Sequence, residues 1–213
     1  MKKIISILFV SALFTVSAHA GGMIGIKYGN GELSGDKAAY TAGSNAYAAA
    51  SKSESHEFGA VFAEVELGDS PISVGVEYIP YTATVTVDGS ASDSHLELSE
   101  HTTIYALVSN PAGDNGASVY AKLGYAMADI GNVAANYATT TVNSHDSELE
   151  GPMIGVGVQS GALGDLGFVA RVEATMTDYD DVSVTTTSNG SSSVKKTASA
   201  ELTTITISLA KTF

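Results

Sequence analysis

Apolar and polar residues alternate with a period of two along eight stretches of this chain, the pattern of strands whose two faces meet different surroundings. In MIGIKYG, Ile24, Ile26 and Tyr28 share one face while Gly25, Lys27 and Gly29 share the other. GAVFAEVEL sets Val61, Ala63, Val65 and Leu67 against Ala60, Phe62, Glu64 and Glu66. ISVGVEY sets Ile72, Val74, Val76 and Tyr78 against Ser73, Gly75 and Glu77. TTIYALVS, from Thr102, passes on either face. VYAKLGYAM opposes Val119, Ala121, Leu123, Tyr125 and Met127 to Tyr120, Lys122, Gly124 and Ala126, and MIGVGVQ opposes Ile154, Val156 and Val158 to Gly155, Gly157 and Gln159. In LGFVARVEATM the apolar face is Leu166, Phe168, Ala170, Val172, Ala174 and Met176, against Gly167, Val169, Arg171, Glu173 and Thr175. The last stretch sets Ile205, Ile207, Leu209 and Phe213 against Thr204, Thr206, Ser208, Ala210 and Thr212. None carries the 3.6-residue stripe of an amphipathic helix.

The connections sort by length. Gly68–Pro71, Asn110–Gly116 and Ser160–Asp165 are short and rich in turn-forming residues. The stretches of roughly Gly31–Glu57, Asp88–His101, Asp129–Glu150 and Asp178–Glu201 are long, low in complexity and rich in Ala, Ser, Thr, Asn and Gly. Short turns at one end and long loops at the other are what an outer-membrane barrel requires, and a soluble sandwich has no reason to sort its loops so strictly.

The N-terminus agrees. MKK is a positive n-region, IISILFVSALFTV an apolar run too short to span a bilayer, and Ala18-His19-Ala20 a small-residue cleavage site. Residues 1–20 are expected to be a cleaved signal peptide, and 21–213 a single barrel domain. No cysteine is present among the 213 residues, which excludes a lipid-anchored cysteine and a disulfide framework. Loss of Lys2 and Lys3 with the leader takes the formal net charge from −13 to −15, so no basic stripe exists to meet a nucleic acid. No mature stretch approaches the roughly 18 apolar residues of a membrane helix. If the mature chain crosses a membrane, it does so as a closed barrel.

Charge placement decides which face meets lipid. Lys27, Glu64, Glu66, Glu77, Lys122, Arg171 and Glu173 all lie opposite the apolar face, and only Lys211, two residues from the end, lies on it. A Lys or Arg at the lipid midplane costs about 2–4 kcal/mol. The apolar face therefore points outward and the charges inward. The interior of an eight-stranded barrel is just wide enough for side chains to fill. The seven inward charges then form either a salt-bridged plug or the lining of a narrow polar conduit, and the sequence does not separate the two. Glycines at 25, 75, 124, 155, 157 and 167 make room for Tyr120 and the Arg171 guanidinium.

The ending LTTITISLAKTF, with alternating Ile205, Ile207 and Leu209 and a terminal Phe213, resembles the C-terminal signature read by the barrel assembly machinery of Gram-negative bacteria. With the leader, the eight strands and the four long loops, the whole mature chain resembles the small opacity-type barrels related to the OmpA transmembrane domain and OmpX. The resemblance implies an all-β, eight-stranded antiparallel up-and-down barrel in the outer membrane, in contact with its lipid and lipopolysaccharide. No tryptophan is present, so the aromatic girdles fall to tyrosine and phenylalanine.

Candidate chemistry is sparse. His56, His95, His101 and His145 each lie beside acids in a long connection or at a strand top, and three of them, at 56, 101 and 145, precede returning strands. No two hold a metal-ligand spacing. No G-x-S-x-G elbow occurs. Asp178–Asp181 lacks the spacing of a calcium loop, and GVGVQSG, Gly155–Gly161, lacks the third glycine and the helix of a dinucleotide site. Neither a catalytic residue nor a cofactor is expected. Sixteen of the 23 acids fall in the four long connections or at their bases, which makes the outer end an anionic crown and implies a cationic extracellular partner. The expected function is a non-enzymatic, structural or surface-interaction role. A small porin-like channel for ions or minor solutes is the alternative, and a lipid-modifying barrel enzyme a more distant one.

Overall fold

The computed structural model describes residues 21–42, 45–80, 82–87, 94–135, 140–188 and 193–213. The leader, residues 1–20, and the acids Asp88 and Asp93 lie outside the described residues, as does the side chain of His95. Eight long strands form one ring: β1 (Gly22–Lys37), β2 (Ala50–Glu66), β3 (Ile72–Ile79), β4 (Ser94–Pro111), β5 (Ser118–Ala135), β6 (Glu148–Gln159), β7 (Phe168–Ser188) and β8 (Val194–Thr212). Each pairs antiparallel with its sequence neighbours, and β8 returns to β1 in an unbroken register from Met23↔Thr212 to Lys37↔Ala198. The Phe213 N–H donates to Gly22 O at 2.9 Å. Closure explains how an apolar strand can end the chain: a barrel leaves no edge to aggregate.

The alternation of the sequence becomes the two faces of the wall. Ile26, Leu123 and Ile207 are 63%, 66% and 60% exposed, whereas Lys27, Lys122, Thr206 and Arg171 on the opposite face are buried. Tyr105 and Leu107 point inward and Ile104 and Val108 outward, which settles the strand that either face would have suited. Gly167 departs from its expected place: it has φ +68 in the turn before β7 and is no part of the inner wall.

The long connections depart further. A membrane strand needs about 9–11 residues, yet β7 runs for 21 and β8 for 19. Most of the residues expected as outer loops continue the wall beyond that length. Tyr40–Ala42 and Asn45–Tyr47 form a small hairpin, Ala83–Val87 pairs with β4 beyond Pro80, and Thr140–His145 pairs with β7. Outside hydrocarbon no apolar alternation is needed to hold a strand. Backbone pairing alone suffices, and Ser, Thr and Val tolerate it well.

Candidate functional site

In a staggered barrel, inward residues from alternate strands fall into common layers. Lys27 on β1, Glu77 on β3, Lys122 on β5 and Glu173 on β7 form such a layer, alternating in sign around the ring. Lys27 Nζ lies 2.6 Å from Glu77 Oε2 and 2.5 Å from Glu173 Oε1, and Lys122 Nζ lies 3.0 and 3.1 Å from the same two oxygens. Each cation bridges both carboxylates, so the four charges close into a square across the lumen. Tyr120 OH donates to the other oxygen of Glu173 at 3.0 Å.

Next to this square, toward the short turns, Arg171 donates twice to Glu64, at 2.6 and 2.7 Å, and its Nε donates to Gln159 at 2.7 Å. Tyr105 OH donates to Glu64 at 2.8 Å. The paired, planar geometry is the one guanidinium and carboxylate favour, and it leaves few polar atoms unsatisfied. Lys122 Nζ sits 3.9 Å from the Tyr105 ring centroid, and the Arg171 guanidinium lies 5.2 Å from the Tyr120 ring and 5.5 Å from the Phe62 ring. These rings fit because a glycine faces each one across the ladder. A Cβ at Gly25 or Gly75 would come within 2.5 Å of Phe62 or Tyr105, and one at Gly157 would collide with Tyr120.

Three cations and three carboxylates are buried here, a neutral set, as a low-dielectric interior demands. Glu66 does not join them. It is exposed, next to Gly21, and lines a polar recess of about 40 Å³ that ends at Glu64, Tyr120 and Arg171. That volume holds only a few water molecules. A fourth carboxylate inside would have been uncompensated, whereas at the mouth it keeps its hydration.

Beyond the square, toward the long-strand end, the interior turns apolar. Ala126, Ala128, Ile130, Leu149 and Tyr179 are buried together, with Leu33, Leu98, Val182, Ala200 and Leu202 packed on them. His101 Nε2 lies 2.8 Å from Tyr179 OH, and its buried Nδ1 has no hydrogen-bond partner among the described residues. His56 Nε2 lies 3.7 Å from Glu54, and His145 Nδ1 lies 2.7 Å from Asp146 O. The three histidines thus have separate partners and do not converge. Among the described residues no group of three or more His, Asp and Glu side chains gathers in a way that would hold a metal ion.

At the opposite end, Ile205, Ile207, Leu209 and Phe213 face outward. Lys211 donates to Leu166 O and lies 5.5 Å from the Phe213 ring, which carries its charge away from the apolar wall. Sequence reasoning does not mark Tyr105 or Phe62 as partners of the charges. The signal is present in the glycines opposite them, but reading it requires the strand register.

A closed eight-stranded ring with a greasy outside and a paired ionic inside defines the small outer-membrane β-barrel fold. Comparison with solved structures places the chain with that class. The outer membrane protein OprG from Pseudomonas aeruginosa matches with a TM-score of 0.70 at 14% identity, over 92% of this chain and 97% of that one. Neisserial surface protein A (NspA) matches with a TM-score of 0.51 at 10% identity, over 88% of this chain and 97% of that one. No protein-family profile matches the sequence, and no curated protein matches it.

Proposed function

We propose that the protein is a non-enzymatic barrel of the Gram-negative outer membrane, closed to ion flow, which acts as a scaffold for the wall it projects outside. On this reading the leader is removed after Ala20, and residues 21–213 are folded into the membrane's lipid and lipopolysaccharide by the barrel assembly machinery, through the Ile205–Phe213 ending. The observation that carries the proposal is the square of Lys27, Glu77, Lys122 and Glu173, backed by the bidentate Arg171–Glu64 pair. An ion crossing this layer would have to break at least one pair whose members are buried, which costs about 3–5 kcal/mol when a partner is removed outright.

The outer acids bear on the partner. Glu32 and Asp36 on β1, Glu57 on β2, Glu148 and Glu150 on β6 and Glu201 on β8 occupy the register positions that alternate with the inward ones, so they face outward. A cationic surface or divalent ions bridging to lipid phosphates fit that ring. Planar-bilayer recording of the purified protein tests the sealed-lumen proposal. Wild type is expected to stay silent. Stable openings whose size changes in Arg171→Ala or Glu173→Gln would establish the porin-like channel instead. Release of fatty acid from bilayer lipid by the purified protein would overturn the non-enzymatic part.

A further inference from the structure

The lipid-facing wall is not convex all the way round. Val108, Ala121, Val156, Ala174 and Ile205 are register partners from β4 to β8 and form one outward row across five strands. Asn110, Val119, Val158 and Val172 form the next row toward the short turns. Both rows line a single apolar trench of about 680 Å³. Two features of the sequence make it. Ala121 and Ala174 are the short side chains of the first row, on either side of Val156. Behind them β6 has glycine at both inward positions, where a Cβ on Gly155 would come 2.9 Å from Thr175 and one on Gly157 would collide with Tyr120. With no side chain of its own on that face, nothing holds β6 off the inner layer.

The trench has a direction. Four strand spacings of about 4.8 Å give it a length of roughly 19 Å, and the two rows a width of roughly 7 Å. Asn110 is one residue from the end of β4, whereas Ile205 is seven residues from the end of β8, so the trench climbs from the turn end to the middle of the wall. One leaflet of hydrocarbon is about 15 Å deep, and a lipid chain slanted across it has the trench's length. Within hydrocarbon, apolar contact brings no hydrophobic gain, so occupancy depends on close packing. A chain in the trench is touched from its floor and both sides, whereas one on a convex wall is touched from one side. A second barrel, itself convex and many strands wide, does not fit a trench of that width.

The lower mouth sets the head group. Asn110 opens onto the turn between β4 and β5, which touches the turn between β6 and β7 where Gly116 meets Gly161. These turns carry Asp114 and Asp165, both exposed, and no lysine or arginine. Lys211, on β8, is turned to Leu166 O and the Phe213 ring. A lipid head with a primary ammonium suits this end, and a purely anionic one does not.

We propose that the trench is a binding site for one zwitterionic phospholipid of the periplasmic leaflet, of the phosphatidylethanolamine type. An acyl chain runs along Ala121, Val156 and Ala174, and the ammonium of the head lies at the Asp114 and Asp165 turns. The site rests on the membrane placement given above and is independent of whether the lumen conducts.

Native mass spectrometry of the full mature barrel tests it, with release from nanodiscs of equal parts phosphatidylethanolamine and phosphatidylglycerol with matched chains. Wild type is expected to keep one lipid per barrel, at least fivefold enriched in phosphatidylethanolamine. Ala121→Phe/Ala174→Phe, which fills the trench, should cut the retained lipid at least fivefold. Val61→Phe, on the exposed wall of β2, should leave it unchanged. Asp114→Asn/Asp165→Asn should abolish the preference between heads while a lipid is still kept. Heat-modifiable gel mobility checks that every variant is folded. Equal retention of both lipids by wild type, or retention indifferent to filling the trench, would overturn the proposal. So would the mass of two associated barrels that disappears when the trench is filled. A chain that stays soluble without lipid would overturn the membrane placement itself, whereas a barrel that inserts and keeps no lipid would overturn the trench alone.

Discussion

Lys122 is the sharpest place to test the ionic layer. It is 1% exposed, touches Glu77 and Glu173 at 3.0 and 3.1 Å, and lies over the Tyr105 ring. Lys122→Met keeps the length of the side chain and most of its packing but leaves Lys27 alone against two buried carboxylates. One negative charge is then uncompensated, a condition that costs about 3–5 kcal/mol in buried networks. That is a large share of the roughly 5–15 kcal/mol by which domains are ordinarily stable. Lys122→Met/Glu173→Gln restores neutrality. The Lys27–Glu77 pair at 2.6 Å remains, and the amide introduced by Glu173→Gln can keep its oxygen toward Lys27 while its NH2 donates to the Tyr120 hydroxyl. The double variant is therefore expected to be at least about 2 kcal/mol more stable than the single one, against additivity. Urea unfolding of the barrel in lipid vesicles, followed by tyrosine fluorescence and gel mobility, measures both. If the second substitution adds its own penalty to the first, the four charges are not an interlocked neutral unit, and the reasoning about the seal fails with it.

Other consequences follow from single contacts. Gly75→Ala places a methyl group within 2.5 Å of the Tyr105 ring, and it should cost about 1–3 kcal/mol in the same assay, as overpacked cores do. Ile207→Lys puts a charge on the lipid face and should cost about 2–4 kcal/mol, whereas at the outward but aqueous Ser34 the same residue should be tolerated. Thr206 Oγ1 is buried without a hydrogen-bond partner among the described residues, so Thr206→Val should be neutral or stabilising by up to about 1 kcal/mol. A destabilised Thr206→Val would show that the hydroxyl is satisfied after all. Phe213→Ala should slow membrane assembly, read as the rate at which heat-modifiable barrel appears, with little effect on its final unfolding midpoint.

Much of this molecule was written in its period-two pattern. Because side chains alternate strictly along a strand, assigning Lys27, Glu64, Lys122 and Arg171 to one face was enough to turn every one of them inward, and the eight stretches counted the strands. Sequence also determined the turn end, through the short Gly- and Pro-bearing connections, and the outward Ile205–Phe213 edge. The partners it left open. Which carboxylate meets which cation depends on the stagger between strands 50 to 146 residues apart, and no local pattern encodes that offset. Glu66 has the same alternation as Glu64, yet two residues of height place it at the wet mouth and not in the neutral layer. The projecting wall was legible only as polar loops, since β-pairing outside lipid needs no apolar signature. Tertiary structure alone decided that most acids would line its outside and Lys37 and Lys196 its inside, because inside and outside exist only once β8 has closed on β1.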